Sequence, residues 1–290
     1  MRLVLVHGRD QQGKDKVELK RAWLAALEIG LSNAGLPALP TKDIEFPFYG
    51  DELDRLVAKI DTPLVIEALA KGGAEDDRVA DFRGRLLQEL AASAGVTRAQ
   101  VEVTYKGEVT EKGPLNWEWV QAILRALDNT PIGSTTIDRF TRDVYVYLTY
   151  KEEVQRVVNK IVANMLTEEP CVVVAHSLGT IITYRLLRDP ACRAKVKRLI
   201  TLGSPLGVNT IRELIRPPAQ ANPDGLTEWF NAYDPKDVVA LRPLDANTWD
   251  IRPLITNKGD VDNHTDNRHG IGGYLDSPVV ATWIYDAIKA

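Results

Sequence analysis

"CVVVAHSLGTIITYRLL", residues Cys171–Leu187, decides the reading of the fold. It opens with a continuous apolar run, the pattern of a strand buried on both faces. A helical pattern follows from Leu178. Ser177 stands at the corner between the two. Such a corner is either a packing feature or the seat of a nucleophile, and the stretch alone leaves both open.

Working outward, strands and helices alternate. "LVLV" at 3–6 is a second short apolar run. After the loop "HGRDQQGK", Leu19, Trp23, Leu27 and Gly30 share one helical stripe, which Gly35 stops. "DIEFPFYGDEL" at 43–53 reads as a short strand near a sheet edge, because Pro47 interrupts it. "KEEVQRVVNKIVANML" is the clearest amphipathic helix, with Val154, Val157, Val158, Ile161, Val162, Met165 and Leu166 on one face. Strands are expected at 196–202, 226–233 and 248–255. A last helix carries Pro278 in its first turn. This alternation predicts an α/β fold, a mostly parallel sheet with helices on both faces.

Residues 61–142 break the alternation. Val79, Phe82, Leu86 and Leu90 recur at helical spacing, as do Val120, Ile123 and Leu127, and again Ile137, Phe140 and Val144. Only "VEVTY" at 101–105 suggests a strand. The block reads as a largely helical insertion within a single domain spanning 1–290. Its aromatic residues Trp117, Trp119, Phe140, Tyr145 and Tyr147 either line an acyl pocket or pack in a core.

Composition excludes several classes. The 290 residues carry 36 Lys and Arg against 40 Asp and Glu, a net charge of −4. There is no run of five basic residues, so a nucleic-acid footprint is absent. No apolar stretch approaches the roughly 18 residues that a membrane span requires. The run Leu3–Val6 is too short for a signal-peptide core. Cys171 and Cys192 are too few for a disulfide framework, and reduced thiols fit a cytoplasmic setting. Metal-binding spacings such as C-x-x-C and H-E-x-x-H are missing, so neither metal nor cofactor is expected. The sequence leaves the oligomeric state open.

In sheets of this kind, functional loops lie at the carboxyl ends of the strands. The first strand ends in His7, Gly8 and Arg9. The strand of the opening stretch ends in His176 and Ser177, with Leu178 and Gly179 beyond. Asp234 and Asp237 follow the expected strand at 226–233. His264 and His269 follow the one at 248–255. Ser, Asp and His therefore occur in that order, each at a strand end.

"AHSLG" resembles the nucleophile elbow G-x-S-x-G of the α/β-hydrolases, and Ser…Asp…His is the chain order of that superfamily. "LVHG" is similar to its oxyanion-loop strand, and "LGSPLG" to a segment of lipase-like members. The resemblance covers 1–60 and 143–290, with the helical block in the place of a cap or lid. Ala175 stands where the elbow has its first Gly, and the one or two leading strands of larger members are missing. A small-x-Ser-x-Gly five-mer arises by chance about 0.2 times in such a chain, so the weight lies in its placement. The resemblance implies a serine esterase, carboxylesterase or lipase-like, acting on a small-molecule or lipid acyl ester. It implies Ser177 as nucleophile, His269 as base and Asp237 as acid, with backbone N–H groups of Leu178 and Arg9 as oxyanion donors. His264 and Asp234 are the alternatives for base and acid. The Arg9 side chain either pairs with Asp10 or faces an anionic substrate group. His7 and His176 read as packing and backbone support. The same triad serves thioesterases, amidases and acyltransferases, and a non-catalytic binding protein can keep the scaffold.

Overall fold

The computed structural model describes residues 1–40, 43–60, 74–105, 117–127, 134–167, 169–215, 223, 226–240 and 242–290. Within them runs a six-stranded, all-parallel sheet in the order β2-β1-β3-β4-β5-β6. The strands are β1 (Arg2–Val6), β2 (Ile44–Glu45), β3 (Cys171–His176), β4 (Val196–Leu202), β5 (Glu228–Ala232) and β6 (Thr256–Lys258). Parallel neighbours require crossovers, and helices supply them. These are α1 (Lys16–Asn33), α2 (Gly50–Ile60), α3 (Ala74–Ser93), α4 (Arg98–Thr104), α5 (Trp117–Leu127), α6 (Ser134–Thr149) and α7 (Arg156–Ala163). After β3 come α8 (Leu178–Leu186), α9 (Pro190–Arg193), α10 (Asn209–Ile215), α11 (Gly272–Leu275) and α12 (Pro278–Lys289). A π-helical turn at Lys151–Gln155 leads into α7.

Alternate residues of each strand face opposite layers, so the sheet is apolar on both sides. Leu3, Leu5, Val172, Val174, Ile200 and Leu202 pack against Trp23, Leu27 and Leu31 of α1 and Val280, Ala281 and Ile284 of α12. Val4, Val6, Val173, Ala175 and Leu199 face a larger core that takes in α2 and the helices from α3 to α8. That core continues without a break into Val79, Phe82, Leu86, Val120, Ile123, Ile137 and Val144. The pair Arg83–Asp138, at 2.7 Å and almost fully buried, ties α3 to α6. The α6 helix runs through residue 142 as one piece. The stretches 61–73, 106–116 and 128–133, and the Trp117 side chain, lie outside the described residues.

Two expected strands are corrected. Val101–Thr104 belong to helix α4. A capping box starts it, the Thr97 hydroxyl accepting the Gln100 N–H while Gln100 Oε1 accepts the Thr97 N–H. Local capping and the burial of Val101 outweigh the β-branched composition. Residues 248–255 form irregular chain rather than a strand. Trp249 is fully buried there and donates its indole N–H to the Leu206 carbonyl at 2.7 Å. The strand comes immediately afterwards, at Thr256–Lys258, paired with Phe230–Ala232 on the outer edge of the sheet.

Strand order reverses direction between β1 and β3. From β1 the chain moves outward to β2, and from β3 it moves outward the other way to β6. The crevice at the carboxyl ends of these two strands is the topological switch point, where open α/β sheets bind their ligands.

Candidate active site

Ser177 sits at that switch point. It follows β3 directly and caps α8, with φ 54° and ψ −127°. A left-handed φ at a non-glycine residue costs about 1–3 kcal/mol and persists only where the surroundings enforce it. Here the enforcement is close packing of strand on helix. A Cβ at Gly179 would lie 2.4 Å from the His7 carbonyl oxygen, so the first turn of α8 rests on the end of β1. A Cβ at Gly8 would lie 2.9 Å from Ser177 Cβ. Ala175, fully buried, fits the turn without displacing it.

His269 reaches Ser177 from the loop after β6. Its Nε2 accepts the Ser177 hydroxyl at 2.8 Å, and its Nδ1–H donates to Asp237 Oδ2 at 2.7 Å. The carboxylate fixes this tautomer, because an acceptor-only group must face an N–H. Asp237 is 1% exposed. Its Oδ1 accepts the Val239 N–H at 2.9 Å, and its Oδ2 also accepts the Tyr274 hydroxyl at 2.6 Å.

The alternative candidates have other partners. His264 is largely exposed and pairs with Asp276 at 3.0 Å. Asp234 accepts the Asn263 N–H at 2.9 Å and pairs with Arg268 at 2.9 Å. It therefore anchors the loop that carries His269. The Asn263 side-chain amide adds a bond to the Gly270 carbonyl at 2.8 Å. Arg268, directly before His269, is left-handed at φ 53°.

The two remaining histidines support backbone. His176 Nε2–H donates to the His269 carbonyl at 2.8 Å, and burial pulls its pKa down to about 3. His7 donates from Nδ1 to the Gly8 carbonyl at 2.6 Å and accepts the Tyr49 N–H on Nε2 at 3.1 Å. Its ring stacks on Tyr49 with centroids 3.9 Å apart, and burial lowers its pKa to about 4. His7 thus holds the Gly8–Arg9 turn against Ser177.

Leu178 follows Ser177 directly, and Arg9 follows Gly8, whose backbone packs on Ser177. Leu178 is the first residue of α8, so its N–H has no acceptor within the helix. The Arg9 guanidinium pairs with Asp10 at 2.6 Å and with Asp143 of α6 at 2.9 Å, leaving it engaged within the protein.

Above Ser177 lies a cleft of about 410 Å³, walled by Leu19 and Trp23 of α1, Ile137 and Phe140 of α6, Val239 and Ile271. Lys14, Gln11 and Asn267 also line it. Of the aromatic residues expected at a pocket, Phe140 lines the cleft, whereas Trp119, Tyr145 and Tyr147 pack in the core. Among the described residues no group of three or more His, Cys, Asp or Glu side chains could hold a metal ion. None of the described helices is long and apolar enough to cross a membrane.

Sequence reasoning missed Tyr274, Gly203 and Asp143. Gly203 lies beneath the site at φ +55°. A Cβ there would meet Tyr274 Cε2 at 3.0 Å, Asp237 Oδ2 at 3.2 Å and His269 Cε1 at 3.2 Å. The glycine-rich end of β4 was a signal for close approach; for Asp143 there was none, because it lies mid-helix among other charges. No protein-family model matches this chain, and no curated protein matches it either.

Proposed function

We propose that the chain is a serine hydrolase of the α/β-hydrolase kind, cleaving carboxylic esters through an acyl-Ser177 intermediate. The carrying observation is the continuous relay from Ser177 Oγ to His269 Nε2, 2.8 Å, and from His269 Nδ1 to Asp237 Oδ2, 2.7 Å. It lies on the floor of an apolar cleft at the switch point of a parallel sheet. A hydroxyl is a weak nucleophile until a base takes its proton as it attacks, and this geometry supplies the base.

The chemistry follows from the positions. Ser177 Oγ attacks the ester carbonyl carbon while His269 Nε2 takes the hydroxyl proton. Asp237 holds the imidazole in place and stabilises the imidazolium. Negative charge on the carbonyl oxygen is met by the N–H groups of Leu178 and Arg9, at a helix start and a strand end. As the tetrahedral adduct collapses, His269 gives the proton to the departing alcohol oxygen. Water then attacks the acyl-enzyme by the same route and releases the acid. Leu19, Trp23, Ile137 and Phe140 suit the acyl chain of a small or medium ester, lipid esters included. The helices α3 to α6 serve as the cap, with α6 forming one wall of the cleft.

The test uses p-nitrophenyl acyl esters and a fluorophosphonate probe. Wild-type protein is expected to hydrolyse the esters and label stoichiometrically. Ser177→Ala is expected to lose label and at least about 10³-fold in kcat. Equal rates for the two proteins overturn the reading. Matched ester, thioester and amide substrates then assign the bond.

A further inference from the structure

Asp237 Oδ2 receives two donors at once, His269 Nδ1–H at 2.7 Å and the Tyr274 hydroxyl at 2.6 Å. We propose that Tyr274 is a positioning residue that sets how strongly Asp237 acts on His269, by sharing the carboxylate oxygen that faces the imidazole. The chemical consequence rests on the serine-hydrolase reading; the geometry does not.

The direction of the shared bond is fixed. Tyr274 Oη accepts the Asp234 N–H at 3.2 Å, so the hydroxyl proton points to Asp237. Tyr274 is fully buried and Asp237 is 1% exposed, so no solvent weakens the contact. Burial first, and the Asp237 charge second, push the Tyr274 phenol well above its usual range, which keeps the proton on the donor. The ring is also confined, because its Cε2 packs on Gly203, where a Cβ would come within 3.0 Å. The contact is therefore a fixed part of the site.

A phenylalanine would fill the same space. What the hydroxyl adds is one acceptor for Asp234 N–H and one donor to Asp237. A carboxylate that accepts an additional short hydrogen bond has its charge partly neutralised, and stabilises a neighbouring imidazolium less. The other groups around His269 are already committed. Arg268 pairs with Asp234 and Asp262, and His176, 4.8 Å away ring to ring, is bonded to the His269 carbonyl. Ser177 takes the remaining imidazole nitrogen. Tyr274 is thus the group placed to adjust the pair from the side of the acid.

The experiment compares Tyr274→Phe with site-specific replacement of Tyr274 by 3-fluorotyrosine, a more acidic phenol and stronger donor. Two signals are read: the acid limb of kcat/KM against pH on p-nitrophenyl acetate, and the low-field proton resonance of the His269 ring N–H. Tyr274→Phe is expected to move the acid limb up by about half a pH unit to one unit. The fluorinated protein is expected to move it down, with the resonance displaced oppositely in the two proteins. Packing alone cannot produce opposite signs. No displacement in either signal, or displacement in the same direction, overturns the proposal. If Tyr274→Phe fails to fold, the fluorinated protein decides by itself. The resonance needs no turnover, so a chain that hydrolyses no ester loses the functional reading while Tyr274 is still tested.

Discussion

Gly203 shows how one missing side chain shapes the site. Its φ of +55° is left-handed, and a methyl group there would press on Tyr274, Asp237 and His269 together. Gly35 has a similar φ of +69° with nothing near its missing Cβ. The pair separates backbone strain from disturbance of the site. Both Gly203→Ala and Gly35→Ala are expected to lose about 1–2 kcal/mol in urea unfolding, since alanine tolerates left-handed φ poorly. Only Gly203→Ala is expected to lower kcat/KM on a p-nitrophenyl ester, by about tenfold or more, because displacement of reacting groups by a fraction of an ångström is costly. Equal kinetics for the two variants would remove Gly203 from the account of the site. Backbone strain has the same address. Among the described non-glycine residues, left-handed φ occurs at Ser177, Arg268 and Asp10. One is the nucleophile candidate, and the others adjoin His269 and Arg9.

At the scale of elements, the loop after β1 and helix α6 are joined by charge. Arg9 and Asp143 meet at 2.9 Å with side chains 8% and 10% exposed, and Arg142 shares the same carboxylate at 3.1 Å. Removing one partner of such a pair leaves a charge stranded in low dielectric. Arg9 keeps Asp10 as a partner, so Asp143→Ala is expected to cost the lost charge-assisted bonds rather than a fully stranded charge, about 1.5–3 kcal/mol in denaturant titration, and to lower kcat through a displaced Arg9 backbone. A change below about 0.5 kcal/mol would mark the pair as inert, as exposed pairs usually are. Elements of this chain were legible in proportion to how far burial dictated their residues. β1 and β3 are covered on both faces, so their sequences are unbroken apolar runs and their ends were found. β6 lies on the edge, is written "TNK", and carries no apolar signal. The stretch before it holds Trp249, Ile251 and Ile255, which are buried as irregular chain and therefore mimic a strand. Ser177 and Asp237 were legible because they stand close beyond the ends of β3 and β5, whereas His269 lies well past β6 and was picked out by the Ser…Asp…His order and its place before the last helix. Tyr274 and Asp143 act from helices, where a sequence gives their spacing but not what they touch.

Over the whole molecule, two buried neutral histidines predict sensitivity to acid. Burial lowers His7 to about 4 and His176 to about 3, against an ordinary value of 6.5 in the unfolded chain. Between pH 6.5 and these values the unfolded chain binds the extra protons, so acid favours unfolding. Stability is expected to fall as pH drops below about 6.5, with a slope approaching two protons, about 2.7 kcal/mol per pH unit. His7→Gln is expected to reduce the slope in Tm against pH; an unchanged slope would refute the assignment. The same whole-molecule view bears on the order in which the site forms. Gly8, Ser177, Gly203, Asp237 and His269 come from loops spread along almost the entire chain. His269 comes last, in a loop fastened by Asp234 and Asn263 and followed closely by α12. During synthesis from the N-terminus, the residues of β1, β3 and the Ser177 corner are made before the loop that carries His269. On the proposed mechanism, reactivity at Ser177 would arrive only when the loop carrying His269 docks, which would make it a chemical signature of a folded site.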